Sequence, residues 1–201
     1  MRLIIATTNK DKLAEIRHIL AGIKFKIVGM AELNKRFRIK ENGKTFLENA
    51  VKKTLPVSLV FPEDLIVGED SGLEVNCLSN EPGVRSKRYA GPGAGDAKII
   101  EKVLTNLAGV SAKDRGARFR CVLVVMQNGK VIKKFEGVLN GRVHTEPIGK
   151  NGFGYDPIFY LPKFKKTVAE ISLEEKNSIS HRADAFGKLK SYLKSGFKEI
   201  H

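Results

Sequence analysis

The segment FRCVLVVMQNGKVIKKFEGVL, residues 119 to 139, contains the strongest local structural signal of the chain. Two apolar, strand-like stretches flank Asn128-Gly129, and this dipeptide favours the type I′ turn that joins two antiparallel strands. The segment therefore predicts a long β-hairpin near the middle of the sequence. Such a hairpin argues against a purely parallel, doubly wound sheet, in which helices connect the strands.

The chain on both sides of the hairpin mixes short apolar strands with segments whose apolar residues have helical spacing. Thr45-Phe46-Leu47-Glu48 has the capping-box pattern that begins a helix, and Pro56 is expected to weaken that helix. The Gly- and Pro-rich segment 81–95 predicts a loop. The predicted strands are residues 2–6, 25–28, 65–68, 73–77, 119–126 and 131–139, and the predicted helices include residues 13–20, 46–51, 99–107 and 180–195. This pattern predicts a mixed α/β fold, and without repeats or linkers we expect a single domain over residues 1–201.

The chain is strongly basic, since 36 Lys and Arg residues face 22 Asp and Glu residues and give a formal charge of +14. A basic protein attracts polyanions such as nucleic acids, anionic membrane surfaces or phosphorylated small molecules. Many of these lysines could equally serve only to solvate the surface, as in charge-rich thermostable proteins. Charge alone does not decide between these interpretations.

Membrane and disulfide-rich classes are disfavoured by the composition. The longest apolar run, Cys121 to Met126, has six residues, whereas a membrane helix needs roughly 20. The two cysteines, Cys77 and Cys121, have no metal-ligand spacing, which excludes zinc modules and Cys-dense secreted scaffolds. We therefore expect a cytoplasmic protein without a membrane partner.

Several common enzyme motifs are absent from the sequence. The sequence lacks the G-x-x-x-x-G-K-[ST] run of a P-loop, the H-E-x-x-H pair of a zinc protease and the G-x-S-x-G elbow of a serine hydrolase. Gly91 to Gly95 lacks the G-x-G-x-x-G spacing of a dinucleotide fingerprint. The remaining candidates are chemistries based on acids and lysines.

The first candidate segment joins the first predicted strand to the first predicted helix. Backbone N–H groups point outward at such a junction, and hydroxyls with a lysine one turn later complete a site for an anion. The alternative is an ordinary helix cap, with Thr8 or Asn9 capping and Lys12 solvated. The segment consists of Thr7, Thr8, Asn9, Lys10, Asp11 and Lys12.

The second candidate is Glu69-Asp70-Ser71-Gly72, which directly follows an apolar strand. Adjacent carboxylates at a strand end are expected at the mouth of a cleft, where one or two of them bind magnesium together with substrate phosphates. The alternative is a polar turn, because Asp-Ser-Gly is a favourable turn sequence.

Two later segments complete the candidates. In the segment 151–157, glycines separate Phe153 from Tyr155, so that backbone and rings can approach a flat base; stacking on an aromatic ring contributes about 1–3 kcal/mol per base. The segment 174–182 surrounds the start of the last helix. The alternative for the segment 151–157 is a tight turn whose aromatic residues belong to the core. The alternative for the segment 174–182 is a solvated start of the last helix.

Together these segments closely resemble the inosine triphosphate pyrophosphatase family, whose members remove non-standard purine nucleotides. Seven stretches match in order along nearly the whole chain. The matching stretches are residues 6–9 with Lys12, 45–50, 69–73, 82–84 with 88–91, 117–121, 152–159, and 175–176 with 180–183.

The resemblance implies hydrolysis of ITP, dITP or XTP to the monophosphate and pyrophosphate, with Mg²⁺ as cofactor. It also implies a homodimer and an elongated mixed sheet with flanking helices and a central cleft between two lobes. We expect no specific nucleic-acid partner. Asp70 would be the general base and Ser71 a substrate contact. Thr7, Thr8, Asn9, Lys10, Asp11, Lys12 and Lys53 would form the phosphate-binding part, and Phe153, Gly154, Tyr155, Asp156, Lys176, His181 and Arg182 the base-binding part.

One departure affects the expected metal site. The family often has paired acids before the Thr-Gly of the segment that precedes its capping box, and here the stretch is Lys40-Glu41-Asn42-Gly43. Glu41 is retained while Lys40 replaces its neighbour, so either Glu41 or Glu69 could join Asp70 at the metal. Two other functions stay open: a Maf-type nucleotide pyrophosphatase with other base preferences, against which Ser180-His181-Arg182 argues, and a basic nucleic-acid-binding protein.

Overall fold

The computed structural model describes residues 1–195. Its strands are β1 (Arg2–Ile5), β2 (Lys26–Gly29), β3 (Leu65–Val75), β4 (Gly116–Gln127), β5 (Lys130–Val143), β6 (Phe159–Leu161) and β7 (Lys166–Thr167), and its α-helices are α1 (Lys10–Ile19), α2 (Phe46–Val60), α3 (Asp96–Asn106), α4 (Leu173–Ile179) and α5 (His181–Lys194). The strands form one sheet in the order β2-β1-β3-β4-β5-β6-β7. β1 is parallel to both β2 and β3, whereas β6 is antiparallel to β5 and β7. The predicted mixed α/β class is therefore confirmed.

The central hairpin forms where the sequence predicts it. Only Asn128 and Gly129 separate β4 from β5, and both have left-handed backbones, with φ of 45° and 72°. This conformation is the one a type I′ turn requires. The N–H of Gly129 also donates to the Ser58 hydroxyl at 2.8 Å, which ties the turn to α2.

Replacing Gly129 by Ala should destabilise the protein. The left-handed backbone disfavours a side chain by about 1–2 kcal/mol, and an added Cβ would also lie 2.9 Å from Cδ2 of Leu59. Gly187→Ala is the matched control, since its Cβ would meet nothing within 4 Å on α5 and should stabilise the helix by about 0.5–1 kcal/mol. Urea unfolding should give opposite signs for the two variants, and a shift of the same sign would contradict this account of the turn.

The described chain divides into two compact units. The first contains residues 1–70, 121–137 and 182–195, and the second contains residues 71–120 and 138–181. This division matches the two lobes expected from the resemblance, while the cleft stays a prediction.

The first unit has apolar clusters on both faces of its strands. Leu65 and Val67 of β3 belong to a buried cluster with residues of α1 and α5, including Ile16 and Phe186. Ile66 belongs to a different cluster that includes Val57 of α2. Because successive strand residues point to opposite faces, α1 and α5 contact one face of β3 and α2 contacts the other.

The second unit has its own core around α3. Ile99, Ile100, Val103 and Leu107 from this helix region are buried together with Phe119, Tyr155 and Phe159. The amphipathic spacing that predicts this helix therefore identifies its buried face correctly.

The two strands predicted at residues 65–68 and 73–77 are in fact one. β3 runs without interruption from Leu65 to Val75, so Glu69, Asp70 and Ser71 lie within a strand rather than in a turn. The turn propensity of Asp-Ser-Gly is overridden because β3 has β4 as a hydrogen-bonded neighbour and nearly every residue of β3 is buried. Tertiary pairing outweighs local propensity here.

Other differences concern helices and short strands. α2 continues past Pro56 to Val60, where Val57 and Ser58 are buried and packing holds the last turn in place. The predicted loop at 81–95 contains a 3₁₀ helix, Gly83–Arg88. The helix α4 and the strands β6 and β7 are not predicted. No helix within residues 1–195 combines the length and the apolar character needed to span a membrane.

Candidate active site

Glu69 and Asp70 are adjacent in sequence but face opposite sides of β3. The alternation seen at residues 65 to 67 places Glu69 on the side of α1 and α5 and Asp70 on the side of α2. Both carboxylates are buried, with exposures of 2% and 7%. The two carboxylates therefore contact two different clusters of side chains.

Gly68 allows α2 to lie directly against β3. A Cβ at this position would be 2.0 Å from the Thr54 hydroxyl oxygen and 2.7 Å from the Ala50 carbonyl oxygen. The missing side chain thus permits the close approach of helix and strand. Asn49 and Lys53, one turn apart on α2, are thereby brought next to Asp70.

Asp70 is held by two donors from α2. Lys53 Nζ lies 2.9 Å from one carboxylate oxygen, and Asn49 Nδ2 donates to the other at 3.0 Å. Burial raises the pKa of Asp70 above its ordinary value, although Lys53 and Asn49 act against that rise. The result is a fixed carboxylate with increased basicity.

Lys53 connects Asp70 to Glu41. Its ammonium lies 2.9 Å from a Glu41 carboxylate oxygen, 2.9 Å from Asp70 and 3.1 Å from the Glu69 carbonyl oxygen. Burial by itself would lower the pKa of Lys53, but the carboxylates of Asp70, Glu69 and Glu41 outweigh it and the pKa is raised. Two carboxylates therefore converge on one fixed positive charge.

Glu69 has cationic partners on the other side of β3. Lys12 forms an ion pair with one oxygen, while Arg182 Nε lies 3.8 Å and Cys121 Sγ 3.5 Å from the other. Burial alone would raise the pKa of Glu69, but Lys12, Arg182 and Lys53 hold it well below its ordinary value. Glu69 is thus a buried anion whose partners are two of the predicted substrate-binding residues.

Arg182 also pairs with Glu15 of α1. Arg182 is only 2% exposed, and its charge is retained because Glu69 and Glu15 outweigh the effect of burial and raise its pKa. This network fixes the first residues of α5 against α1.

The predicted anion site at residues 7–12 begins α1. Asn9 is the N-cap, and its side chain accepts a hydrogen bond from the Lys12 N–H at 3.0 Å. The capping interpretation is therefore confirmed for Asn9, but Lys12 is paired with Glu69 rather than solvated. Thr8, Lys10 and Asp11 are exposed at this helix start.

In the second unit, the aromatic segment is packed against a buried ion pair. Lys176 Nζ lies 2.8 Å from an Asp156 carboxylate oxygen and 4.4 Å from the centre of the Phe153 ring. The same Asp156 oxygen accepts the Phe153 N–H at 2.9 Å. Gly154, with φ of 64°, and the buried Tyr155 complete the segment. The structure thus brings together five residues predicted to contact the base.

His181 also belongs to the second unit. Its ring stacks on Phe119, with centroids 5.0 Å apart and planes inclined by 23°. Phe119 in turn stacks on Phe159 at 4.2 Å, so His181 is held by an aromatic column. Ser71 follows Asp70 on β3 and is partly exposed.

Two residues that hold the site escape prediction from sequence. Asn49 lies four residues before Lys53, and this helical spacing was the signal that could have identified it. Glu15 is an acid within the apolar stripe of Leu13 and Ile16, and a charge in such a stripe indicates a buried partner.

The chain is similar to known proteins in both sequence and fold. The model of the Ham1 family matches residues 3–192. A dITP/XTP pyrophosphatase of Staphylococcus epidermidis is 44% identical over 95% of both chains, and one of Bacillus subtilis is 43% identical over 96% of both. The structure of a HAM1 protein from Coxiella burnetii has a TM-score of 0.88 and 39% identity, covering 98% of this chain and all of that one. The chain therefore belongs to the Ham1 family, as its resemblance to inosine triphosphate pyrophosphatases predicts.

Proposed function

We propose that the protein hydrolyses non-canonical purine nucleoside triphosphates, namely ITP, dITP and XTP, to the monophosphate and pyrophosphate. The observation that carries this proposal is the 44% identity, over nearly the full length of both chains, to a protein named dITP/XTP pyrophosphatase. The acids and lysines described above supply chemistry suited to this reaction. Such an activity removes damaged purine nucleotides from the nucleotide pool.

The phosphate tail is bound by residues around α1 and α2. Lys12 and Lys53 supply positive charge, and the start of α1 supplies backbone N–H groups with the polar residues Thr7, Thr8, Asn9, Lys10 and Asp11. Ser71 adds a hydroxyl contact. Lys12 exchanges its ion pair with Glu69 for the phosphate oxygens when substrate binds.

Glu41 and Asp70 fit the requirements of a magnesium ion. Magnesium is bound by one or two carboxylates, while water and substrate phosphates complete its shell. The two carboxylates already converge on a single cation, the Lys53 ammonium, at 2.9 Å each. Glu69 fits less well, because Lys12, Arg182 and Cys121 already contact its oxygens. When bound, Mg²⁺ would neutralise charge on the phosphate oxygens.

Asp70 accepts the proton of the water that attacks the α-phosphorus, and pyrophosphate leaves. Each carboxylate oxygen can accept more than one hydrogen bond, so the contacts with Lys53 and Asn49 leave capacity for a water. The lysines offset the charge that develops on the departing pyrophosphate, since phosphoryl transfer depends mainly on positioning and electrostatics.

The base is recognised by Phe153, Gly154, Tyr155, Asp156, Lys176, His181 and Arg182. Hypoxanthine and xanthine carry an oxygen at position 6, where adenine carries an amino group. Arg182 carries a guanidinium, which is a hydrogen-bond donor only, and in this proposal it donates to that oxygen. Sites of this kind discriminate by about 10⁴ or more against an analogue that leaves the donor unpaired.

Guanine also carries the 6-oxygen, so its rejection depends on position 2. A hydrogen-bond donor near this position tolerates the hydrogen of hypoxanthine, favours the oxygen of xanthine and repels the amino group of guanine. Comparable rates for GTP and XTP would contradict this explanation.

We also propose that residues 1–201 act as one nucleotide pyrophosphatase domain in a cytoplasmic homodimer, without a specific nucleic-acid partner. Light scattering of the purified protein should give twice the chain mass of 22.3 kDa.

The test is pyrophosphate release from ITP, dITP, XTP, GTP, ATP and dTTP with magnesium and with excess EDTA. We expect rapid release from the first three, slow release from the others and none with EDTA. Preference for dTTP would instead support a Maf-type enzyme. Inactivity combined with DNA binding that weakens steeply with salt would support the nucleic-acid-binding alternative.

A further inference from the structure

We infer that Asp96 is a positioning residue that fixes the base-binding segment 152–156. This inference rests on the proposed role of Phe153 in contacting the base. Asp96 is the first residue of α3, and its carboxylate accepts the Gly154 N–H at 2.7 Å. Both residues belong to the second unit.

The segment needs such anchoring because of its backbone. Gly152 and Gly154 both have left-handed conformations, with φ of 79° and 64°. Glycines have more accessible conformations than other residues, so a segment with two of them loses more entropy on ordering. The ring of Phe153 lies between these two glycines, and its position depends on their conformations.

Two carboxylates fix consecutive N–H groups of this segment. Asp156 accepts the Phe153 N–H at 2.9 Å, and Asp96 accepts the Gly154 N–H at 2.7 Å. Asp156 lies in the same segment and pairs with Lys176, whereas Asp96 comes from a separate helix. Asp96 therefore connects the segment to the core that α3 forms in the second unit.

A second tether comes from the same part of the chain. The buried Tyr155 hydroxyl donates to the Ser86 carbonyl oxygen at 2.8 Å, and the Ser86 hydroxyl accepts the Leu73 N–H at 3.0 Å. Thus Ser86 and Asp96, which flank the family-like stretch Arg88-Tyr89-Ala90-Gly91, both hold the aromatic segment. The region 82–96 therefore positions the base-binding segment, a role that its sequence does not show.

The other contact of Asp96 does not explain its position. Lys87 Nζ lies 3.5 Å from Asp96, and the Lys87 side chain is 80% exposed. Exposed pairs of this kind contribute little to stability. The bond to Gly154 is shorter and joins a charged acceptor to a backbone donor, which is the stronger class of hydrogen bond.

The experiment compares binding of IMP and of pyrophosphate by calorimetry in magnesium buffer. Asp96→Ala should weaken IMP binding about tenfold, the usual effect of losing one charge-assisted hydrogen bond. Pyrophosphate binding should be unchanged, and steady-state assays should show a raised KM for ITP with kcat within about twofold. Asp96→Asn keeps an oxygen acceptor and should bind IMP within about threefold of the wild type.

Three further variants make the result decisive. Glu101→Ala removes an exposed acid from the same helix and should change neither ligand's binding. Asp96→Ser keeps a polar group at the start of α3 but is too short to reach Gly154, so it replaces Asp96→Ala if that variant does not fold. Phe153→Ala tests the base-binding segment itself.

The outcomes separate this inference from the proposed function. Weaker IMP binding by Phe153→Ala with unchanged binding by Asp96→Ala overturns the role of Asp96 alone. Unchanged IMP binding by both variants overturns the base-binding role of the segment and this inference with it. Equal weakening of IMP and pyrophosphate by Asp96→Ala identifies a general structural defect and also overturns the inference.

Discussion

Replacing Asp70 by Asn is expected to lower kcat for ITP by about two or more orders of magnitude while the fold is retained. Asparagine has the same shape and keeps one oxygen that can accept from Lys53, while its NH2 group replaces the oxygen that accepts from Asn49. It cannot accept the proton of the attacking water. The loss should appear in kcat measured by pyrophosphate release at saturating ITP.

Asp64→Asn is the matched control for this variant. Asp64 is also a buried aspartate of the first unit, and it pairs with Arg2 at 2.5 Å rather than with residues of the site. Its loss should lower stability and leave kcat unchanged. A magnesium titration of Asp70→Asn distinguishes the role of Asp70 as general base from its role as metal ligand. Recovery of kcat at high magnesium would assign the defect to metal binding. Wild-type turnover by Asp70→Asn would remove Asp70 from the catalytic role.

Replacing Arg182 by Met should give the largest loss of stability. Arg182 is buried between Glu15 and Glu69, and removing the cation leaves both carboxylates in a site that excludes water. Breaking a buried ion pair in this way typically costs about 3–5 kcal/mol. The measurement is the free energy of unfolding in urea, monitored by circular dichroism.

The double variant Arg182→Met, Glu15→Leu tests the physical reason. If the loss of stability comes from the unpaired buried charge of Glu15, removing that charge should restore part of the lost free energy of unfolding. An apolar pair of similar volume then replaces the ion pair. Lys12 still pairs with Glu69 in both variants. A loss below about 1 kcal/mol for Arg182→Met, the range of an exposed pair, would contradict the buried network.

The hairpin and the helices α1, α2, α3 and α5 were predictable because local chemistry determines them. Asn128 and Gly129 satisfy the backbone requirement of their turn, and Thr45 caps α2 by accepting the Glu48 N–H at 3.1 Å. In a full capping box the Glu48 side chain would accept the Thr45 N–H, but here it accepts the Lys44 N–H instead. Such signals involve residues within a few positions of each other.

The placement of Glu69 and Asp70 on opposite faces of β3 could not be predicted in the same way. A turn at Asp-Ser-Gly would allow both carboxylates to face one ligand, whereas a continuous strand separates them onto opposite faces. The strand is stabilised by pairing with residues more than 40 positions away, as in the ion pair of Glu74 with Arg118. Asn49 and Glu15 escape prediction for the same reason, because their functional contacts are long-range.

A crystal structure with magnesium and an ITP analogue whose bridge between the α- and β-phosphates cannot be hydrolysed would test the proposed nucleotide site most directly. We predict that the α-phosphate lies beside Asp70, that Lys12 and Lys53 contact the phosphate tail, and that hypoxanthine lies against Phe153 with its 6-oxygen accepting from Arg182. A nucleotide bound away from both Asp70 and Phe153 would contradict the proposed site.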